Sequence, residues 1–424
     1  MASARGRAGV AVVRVSGPSA DDALKALTRQ ALVNERRAVI RTLFSKKNES
    51  IIDVALVLRF ASPHSYTGEN VVEFQTHGGP AVVSALLEAL AAEPGLRLAE
   101  PGEFTRRAVE NGRLDLTQAE AIADLVAAQT EAQRRQALGQ FEGKLTALYE
   151  GWRSNLIRAA AWVEASIDFP DEEIPPDAIA RSRGAMASIA GDIRAHLDDG
   201  RRGEILREGF QVAVIGPPNA GKSSLINALA NRDVAIVSEI PGTTRDVIEV
   251  RLDLKGYPVI LADTAGLREA RGPIEEEGIR RAQARAVSAD LRLLLLDGSL
   301  SPPKSLPSAE LKVWSKADLV SVKDQPGIWI SSKTGEGLPE LIDVLASYAE
   351  GGLGHGEAPV ITRARHRQAL EEAASSLEQA VAEEAPELAA EQIRRALQAI
   401  GRITGRVDLD ELLDVVFRDF CLGK

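Results

Sequence analysis

Gly216-Pro217-Pro218-Asn219-Ala220-Gly221-Lys222-Ser223 decides how the middle of this chain folds. Its spacing is that of a phosphate-binding loop. Small residues let successive backbone N–H groups face phosphate oxygens, Lys222 supplies a point charge, and the Ser223 hydroxyl can ligate Mg²⁺. The apolar run 211–215 before it reads as a strand, and 224–229, opening at Ser224, reads as a helix. That is the context the mechanism demands, and a chance glycine-rich turn would not bring both flanks.

Outward from this loop, strand-like runs at 211–215, 258–262, 291–296, 312–314 and 328–330 alternate with helical segments. Such alternation predicts a doubly wound parallel sheet with helices on both faces. Asp263-Thr264-Ala265-Gly266 ends one of these strands, where a carboxylate can hold Mg²⁺ through water and the glycine amide can sense a γ-phosphate. Thr244, in Pro241-Gly242-Thr243-Thr244-Arg245-Asp246, stands where a switch threonine completes the metal shell. Base choice falls to Ser315-Lys316-Ala317-Asp318. The aspartate can accept two hydrogen bonds from guanine N1 and N2, a donor pair adenine lacks, and the lysine stem can cover the ring, so GTP and GDP are the expected ligands. The usual pattern opens with Asn; Ser315 loses the amide that braces the loop, and weakened affinity is expected. Ser331-Ser332-Lys333 resembles the last guanine-binding loop. Leu267 occupies the place of the glutamine that orients water in Ras-type enzymes. The downstream acids Glu275, Glu276 and Glu277 are candidates for that task, or else a solvated helix start.

The 424 residues suit about three domains at roughly 150 residues each. No apolar stretch approaches the ~18 residues of a membrane span, and the N-terminus lacks a signal-peptide block, so a cytoplasmic protein is expected. Cys421 is the sole cysteine, which excludes an internal disulfide and a cysteine-rich zinc site and suits a reducing compartment. Gly423 and Lys424 do not fit a prenylation box. The net charge of −10 argues against nonspecific coating of nucleic acid and leaves room for a specific RNA partner on a local patch.

Residues 10–110 mix strand runs (10–16, 51–60, 71–76) with a helix-like run at 81–92 and read as a small α/β domain. From 116 to 168 long helices take over, with Leu116, Ile122, Leu125 and Val126 spaced as one apolar stripe, until Pro170, Pro175 and Pro176 interrupt. Gly351, Gly352, Gly354 and Gly356 read as a linker, after which 363–420 returns to helical composition, ending in an amphipathic helix at 408–417. The two helical blocks could form one bundle interrupted by the α/β unit. The expected domains are 1–112, 113–206 with 352–424, and 207–351.

Further motifs carry a resemblance. Arg14-Val15-Ser16-Gly17-Pro18, Tyr66-Thr67-Gly68-Glu69, His77-Gly78-Gly79-Pro80, Pro101-Gly102-Glu103-Phe104-Thr105, Leu114 through Ala121, Asp168-Phe169-Pro170 and the tail Phe420-Cys421-Leu422-Gly423-Lys424 together resemble the MnmE (TrmE) family over nearly the whole chain. The resemblance implies an N-terminal folate-binding and dimerising α/β domain, a discontinuous helical bundle and an inserted G domain. It implies K⁺ in the role of an arginine finger, held at Asn219, Ser238, Ile240 and Thr243, and Glu275 as the residue orienting water. It implies a pocket for 5-formyl- or 5,10-methylene-tetrahydrofolate at Arg14, Glu73, Arg113 and Lys424; Arg113 replaces the family's lysine, keeping charge but presenting a planar fork. Cys421 resembles the cysteine of the modification chemistry. The implied partners are tRNA, whose wobble uridine would be modified, and an FAD- and NADH-dependent protein resembling MnmG (GidA), joined to a homodimer as a heterotetramer. The N-terminus is expected to fall short of the family's first strand.

Two other readings compete. A ribosome-assembly GTPase of the Era or Der kind expects a basic C-terminal RNA-binding domain, whereas 378–391 is acidic. A folate-binding module with a degenerate G domain is favoured by Ser315 alone, against intact Lys222, Ser223, Thr244, Asp263 and Asp318.

Overall fold

The computed structural model describes residues 1–3, 6–47, 49–169, 176–236, 249–263, 289–303, 306–353 and 360–406. They divide into two compact units: the described residues of Met1–Ala123, Tyr149–Arg153 and Leu397–Lys424, and those of Asp124–Leu148 and Ser154–Ala396.

In the first unit β1 (Ala8–Ser16), β2 (Val39–Phe44), β3 (Ile51–Phe60) and β4 (Val71–Gly78) form an antiparallel sheet in the order β1-β4-β3-β2. Alternate side chains point to opposite faces of a strand. One face therefore carries Val13, Val15, Val57, Val72 and Phe74 into a core closed by α1 (Ala20–Thr28) and α2 (Pro80–Ala91) through Leu24, Leu27 and Leu86. The same register sets Arg14 directly opposite Glu73 on the other face. β2, α1 and α3 (Glu103–Glu110) escaped the sequence reading, because each is short and carries charge between its apolar positions. In α4 (Leu116–Ala127) the expected single stripe is corrected: Leu116 and Ile122 are buried, whereas Leu125 and Val126 are exposed at 37% and 47%.

The second unit holds a six-stranded sheet in the order β10-β9-β8-β5-β7-β6. Its strands are β5 (Phe210–Ile215), β6 (Glu249–Leu254), β7 (Tyr257–Asp263), β8 (Leu291–Asp297), β9 (Leu311–Ser315) and β10 (Ile328–Trp329). Five run parallel and β6 runs antiparallel to β7, which corrects the expectation of an all-parallel sheet. The reason is local. Lys255 and Gly256 both take positive φ, at 56° and 89°, and a two-residue turn of this kind can join only antiparallel neighbours. Helix Leu338–Leu353 also corrects the expected glycine linker, since it runs through Gly351 and Gly352 to bury Leu353. Gly352 lies so close to Phe210 that an added Cβ would meet its ring at 3.2 Å.

The helices that follow α4 are α5 (Glu131–Phe141), α6 (Lys144–Asp168), α7 (Pro176–Leu197) and α8 (Arg202–Glu208), and beyond the sheet come Ala364–Ala382 and Pro386–Thr404. Helix α7 lies against Ala364–Ala382, where Arg194 makes two parallel bonds to Glu378 at 2.8 and 2.9 Å. Among the described residues no helix is long and apolar enough to cross a membrane.

Candidate functional site

β5 is central in its sheet, between β8 and β7, and ends in the loop 216–223. Gly216 takes φ 149° against β8; a Cβ there would sit 2.2 Å from the Leu295 carbonyl oxygen, so no side chain fits. Asn219 and Gly221 take φ 62° and 91°, turning the chain into α9 (Lys222–Ala230), whose first turn presents Ser223 and Ser224 at the surface. Asn is among the few residues that tolerate this left-handed conformation. Ala220 is buried beneath the loop. Lys222, only 7% exposed, folds back over the loop and its Nζ donates to the carbonyls of Gly216 and Pro217, each at 2.9 Å. An ammonium held above a ring of backbone amides at a helix N-terminus suits a polyphosphate, whose oxygens are stronger acceptors than those two carbonyls. The loop thus fits a nucleoside triphosphate on its own geometry.

The loops expected to read the base follow β9 and β10, at the same end of the sheet. Ser315, 4% exposed, has its Oγ 2.7 Å from the Ala220 carbonyl and 3.1 Å from that of Leu296. The hydroxyl carries one proton and donates it along the shorter line, so the serine ties the base loop to the phosphate loop. The bracing expected to be lost with asparagine is therefore supplied by the hydroxyl. Asp318 Oδ1 accepts from the fully buried Ser331 Oγ at 2.6 Å, while that oxygen accepts from the amides of Lys333 and Thr334 at 3.3 and 3.1 Å. The Ser331 bond, aided by the Lys333 charge, holds the Asp318 carboxyl below its ordinary range. It is an acceptor at neutral pH, as a guanine reader must be. Ser332 is half-buried in the same loop. Lys316 pairs with Asp297. Burial works to raise the Asp297 carboxyl, but the bonds from Lys316 and Ser299 outweigh it and leave it lowered. Asp297 was missed from sequence. Its signal was position, the last residue of a parallel strand, at the edge where ligands of open α/β sheets bind.

Asp263 closes β7 and its backbone lies in register with Val214 of β5. Ser238, Ile240, Thr243, Thr244, Thr264, Ala265, Gly266, Glu275, Cys421, Lys424 and the expected helix at 408–417 lie outside the described residues.

In the first unit, Arg14 and Glu73 are brought together as a pair, with Nε and Nη2 at 2.9 and 2.8 Å from one carboxylate oxygen. The guanidinium lies over Tyr66 and Phe104 at 5.2 and 5.5 Å from the ring centres. Burial raises the Tyr66 hydroxyl, whose oxygen lies 2.7 Å from that of Thr105. Arg113 is exposed and its side chain packs beside Gly68, in the same loop as Tyr66. A cavity of about 410 Å³ borders Arg14, Ser16, Leu87, Phe104 and Arg107. Glu69, the last residue of the Tyr66-Thr67-Gly68-Glu69 motif, accepts from Ser16 and Arg107, two residues that border this cavity.

The family model described as GTP-binding protein TrmE N-terminus matches residues 1–113, and that of the MnmE helical domain matches 116–421. A tRNA modification GTPase MnmE of Parvibaculum lavamentivorans is 53% identical over 433 aligned positions, covering 100% of this chain and 99% of its own. Proteins of that name from Paramagnetospirillum magneticum and Rhodospirillum rubrum are 52% and 51% identical, each over 100% of this chain and 98% of theirs. With a phosphate loop and family matches that together span nearly the whole chain, the chain belongs to the MnmE (TrmE) family of tRNA modification GTPases.

Proposed function

We propose that this protein hydrolyses GTP in a K⁺-stimulated reaction. That hydrolysis is coupled to modification at C5 of the wobble uridine of certain tRNAs, adding an aminomethyl or carboxymethylaminomethyl group. An FAD-dependent partner of the MnmG (GidA) kind and a tetrahydrofolate one-carbon donor take part. The observation that carries the reading is the Ser315 tie. A nucleotide reaching from Lys222 to Asp318 meets a phosphate loop and a base loop already held in one geometry by a 2.7 Å bond, so little ordering remains to be done on binding.

Lys222 would release its two carbonyls to the phosphates, Asp318 would accept from guanine N1 and N2, and the Lys316 stem would cover the ring. Ser223 and Thr244 would hold Mg²⁺, with Asp263 behind it; Asn219, Ser238, Ile240 and Thr243 would hold K⁺. When bound, the two cations supply positive charge where negative charge develops in phosphoryl transfer. Glu275 orients the attacking water. Arg14, Glu73, Arg113 and Lys424 bind the folate, supported by the Arg14 pairing and the adjoining cavity, and Cys421 serves the modification chemistry. Three domains carry these tasks, 1–112, 113–206 with 352–424, and 207–351. The N-terminal domain makes the homodimer that joins its partner as a heterotetramer in the cytoplasm.

Two measurements test this. GTP turnover should rise by about tenfold or more when Na⁺ is replaced by K⁺, and Asn219→Ala should abolish the difference; equal rates in the two salts would reject the potassium mechanism. Nucleoside analysis of tRNA from cells lacking the protein should show the wobble uridine without its C5 group.

A further inference from the structure

Helix α5 presents Gln133, Gln136 and Gln140, whose spacing of three and four residues sets them on one face. Each reaches a backbone or side chain at one of the two places where the chain crosses between helices and the six-stranded sheet. On the inbound crossing, α8, Gln136 Nε2 donates to the Gly203 carbonyl and Gln133 Nε2 to that of Arg207, both at 3.1 Å. On the outbound crossing the Thr362 hydroxyl donates to Gln140 Oε1 at 3.1 Å. Asp124 joins the two crossings directly. Its Oδ1 accepts from Arg207 Nε at 3.0 Å and from Arg363 Nη2 at 2.7 Å, with the carboxylate only 15% exposed. The crossings themselves run so close that a Cβ on Gly203 would sit 2.4 Å from the Ile361 carbonyl oxygen. At its N-terminal end α5 also holds the β6–β7 hairpin, the Ala132 amide donating to the Gly256 carbonyl at 3.0 Å.

This joint is connected at both ends to working parts. β5 starts two residues beyond α8 and runs without a break into the phosphate loop, while Arg363 immediately precedes helix Ala364–Ala382. A strand is stiff along its length, so a displacement at Arg207 is carried to Gly216 and the reverse. A close-packed joint could not shift. This one borders a cavity of about 660 Å³ lined by Asp124, Gln133, Gln136, Arg207, Arg251 and Asp290, which leaves the polar contacts room to re-form in a second arrangement.

We infer that Asp124 and the glutamine face of α5 form a coupling element that carries the nucleotide state of the phosphate loop to helix Ala364–Ala382. The inference rests on the GTP-binding reading. Its test is hydrogen exchange of the full-length chain, comparing GDP with a non-hydrolysable GTP analogue and following amides of 202–208 and 360–367, with fluorescent-GDP titration as the control. In the unaltered protein exchange in these segments should differ between the two nucleotides by about fivefold or more. Asp124→Asn and, separately, Gln136→Ala should erase the difference while nucleotide affinity stays within about twofold, a change too small to account for it. Should Asp124→Asn fail to fold, Gln136→Ala decides alone. Nucleotide binding without an exchange difference in the unaltered protein, or a difference that survives in the folded variants, overturns the coupling only; absent binding overturns the coupling and the GTP reading together.

Discussion

The nucleotide site and the Arg14 site are built on opposite kinds of sheet. In the parallel strands β5, β7, β9 and β10 every chain leaves at the same edge, so the loops that follow converge there and the site is assembled largely from backbone. In the antiparallel sheet successive strand ends alternate, and a site must be built from side chains standing across from one another, as Arg14 stands across from Glu73. A backbone-built site absorbs a changed side chain, as it does where the Ser315 hydroxyl replaces an amide. A side-chain-built site has no such reserve.

Substitutions at three positions can break or sharpen that contrast. Lys222→Ala removes the one side chain that the phosphate loop cannot replace with backbone, and should lower kcat/KM for GTP by about a hundredfold or more in a phosphate-release assay; near-normal turnover would mean the amides suffice. Ser315→Ala leaves the Ala220 carbonyl without this donor, a loss of about 1–2 kcal/mol, so fluorescent GDP should dissociate roughly tenfold faster. Ser315→Asn should restore slow release. Unchanged release in the alanine variant would show that the two loops hold one another without the hydroxyl. The smallest effect on GTP chemistry is expected from Arg14→Ala, which leaves Glu73 unpaired and uncovers two rings. It should lower the stability of the first unit by about 1–3 kcal/mol, read as a fall of a few degrees in its melting temperature, with GTP turnover unchanged.

Legibility followed the length of the interactions. The loop 216–223 and the strands beside it could be read directly, because phosphate-loop chemistry resides in consecutive residues and buried parallel strands are continuous apolar runs. β6 was not legible, since Glu-Val-Arg-Leu-Asp-Leu carries three charges in six residues and becomes a strand only by pairing with β7. Gly351 and Gly352 read as a linker because glycine is a poor helix former; burial of Leu353 and contact with Phe210 override that preference. The α4 stripe shows the reverse error, in which helical spacing was right and burial was not, because periodicity locates a face without saying what covers it.

By itself the sequence determined the phosphate loop, the alternation that makes the parallel strands of the six-stranded sheet and the family motifs at both ends, all of which depend on neighbours in the chain. Only the tertiary structure decided that Ser315 reaches Ala220, 95 positions away, that Arg14 meets Glu73 across 59, and that Asp124 grips Arg363 across 239. Hydrogen bonds act over about 3 Å, and which distant atoms come within that reach is set by the packing of whole elements, which no local pattern encodes.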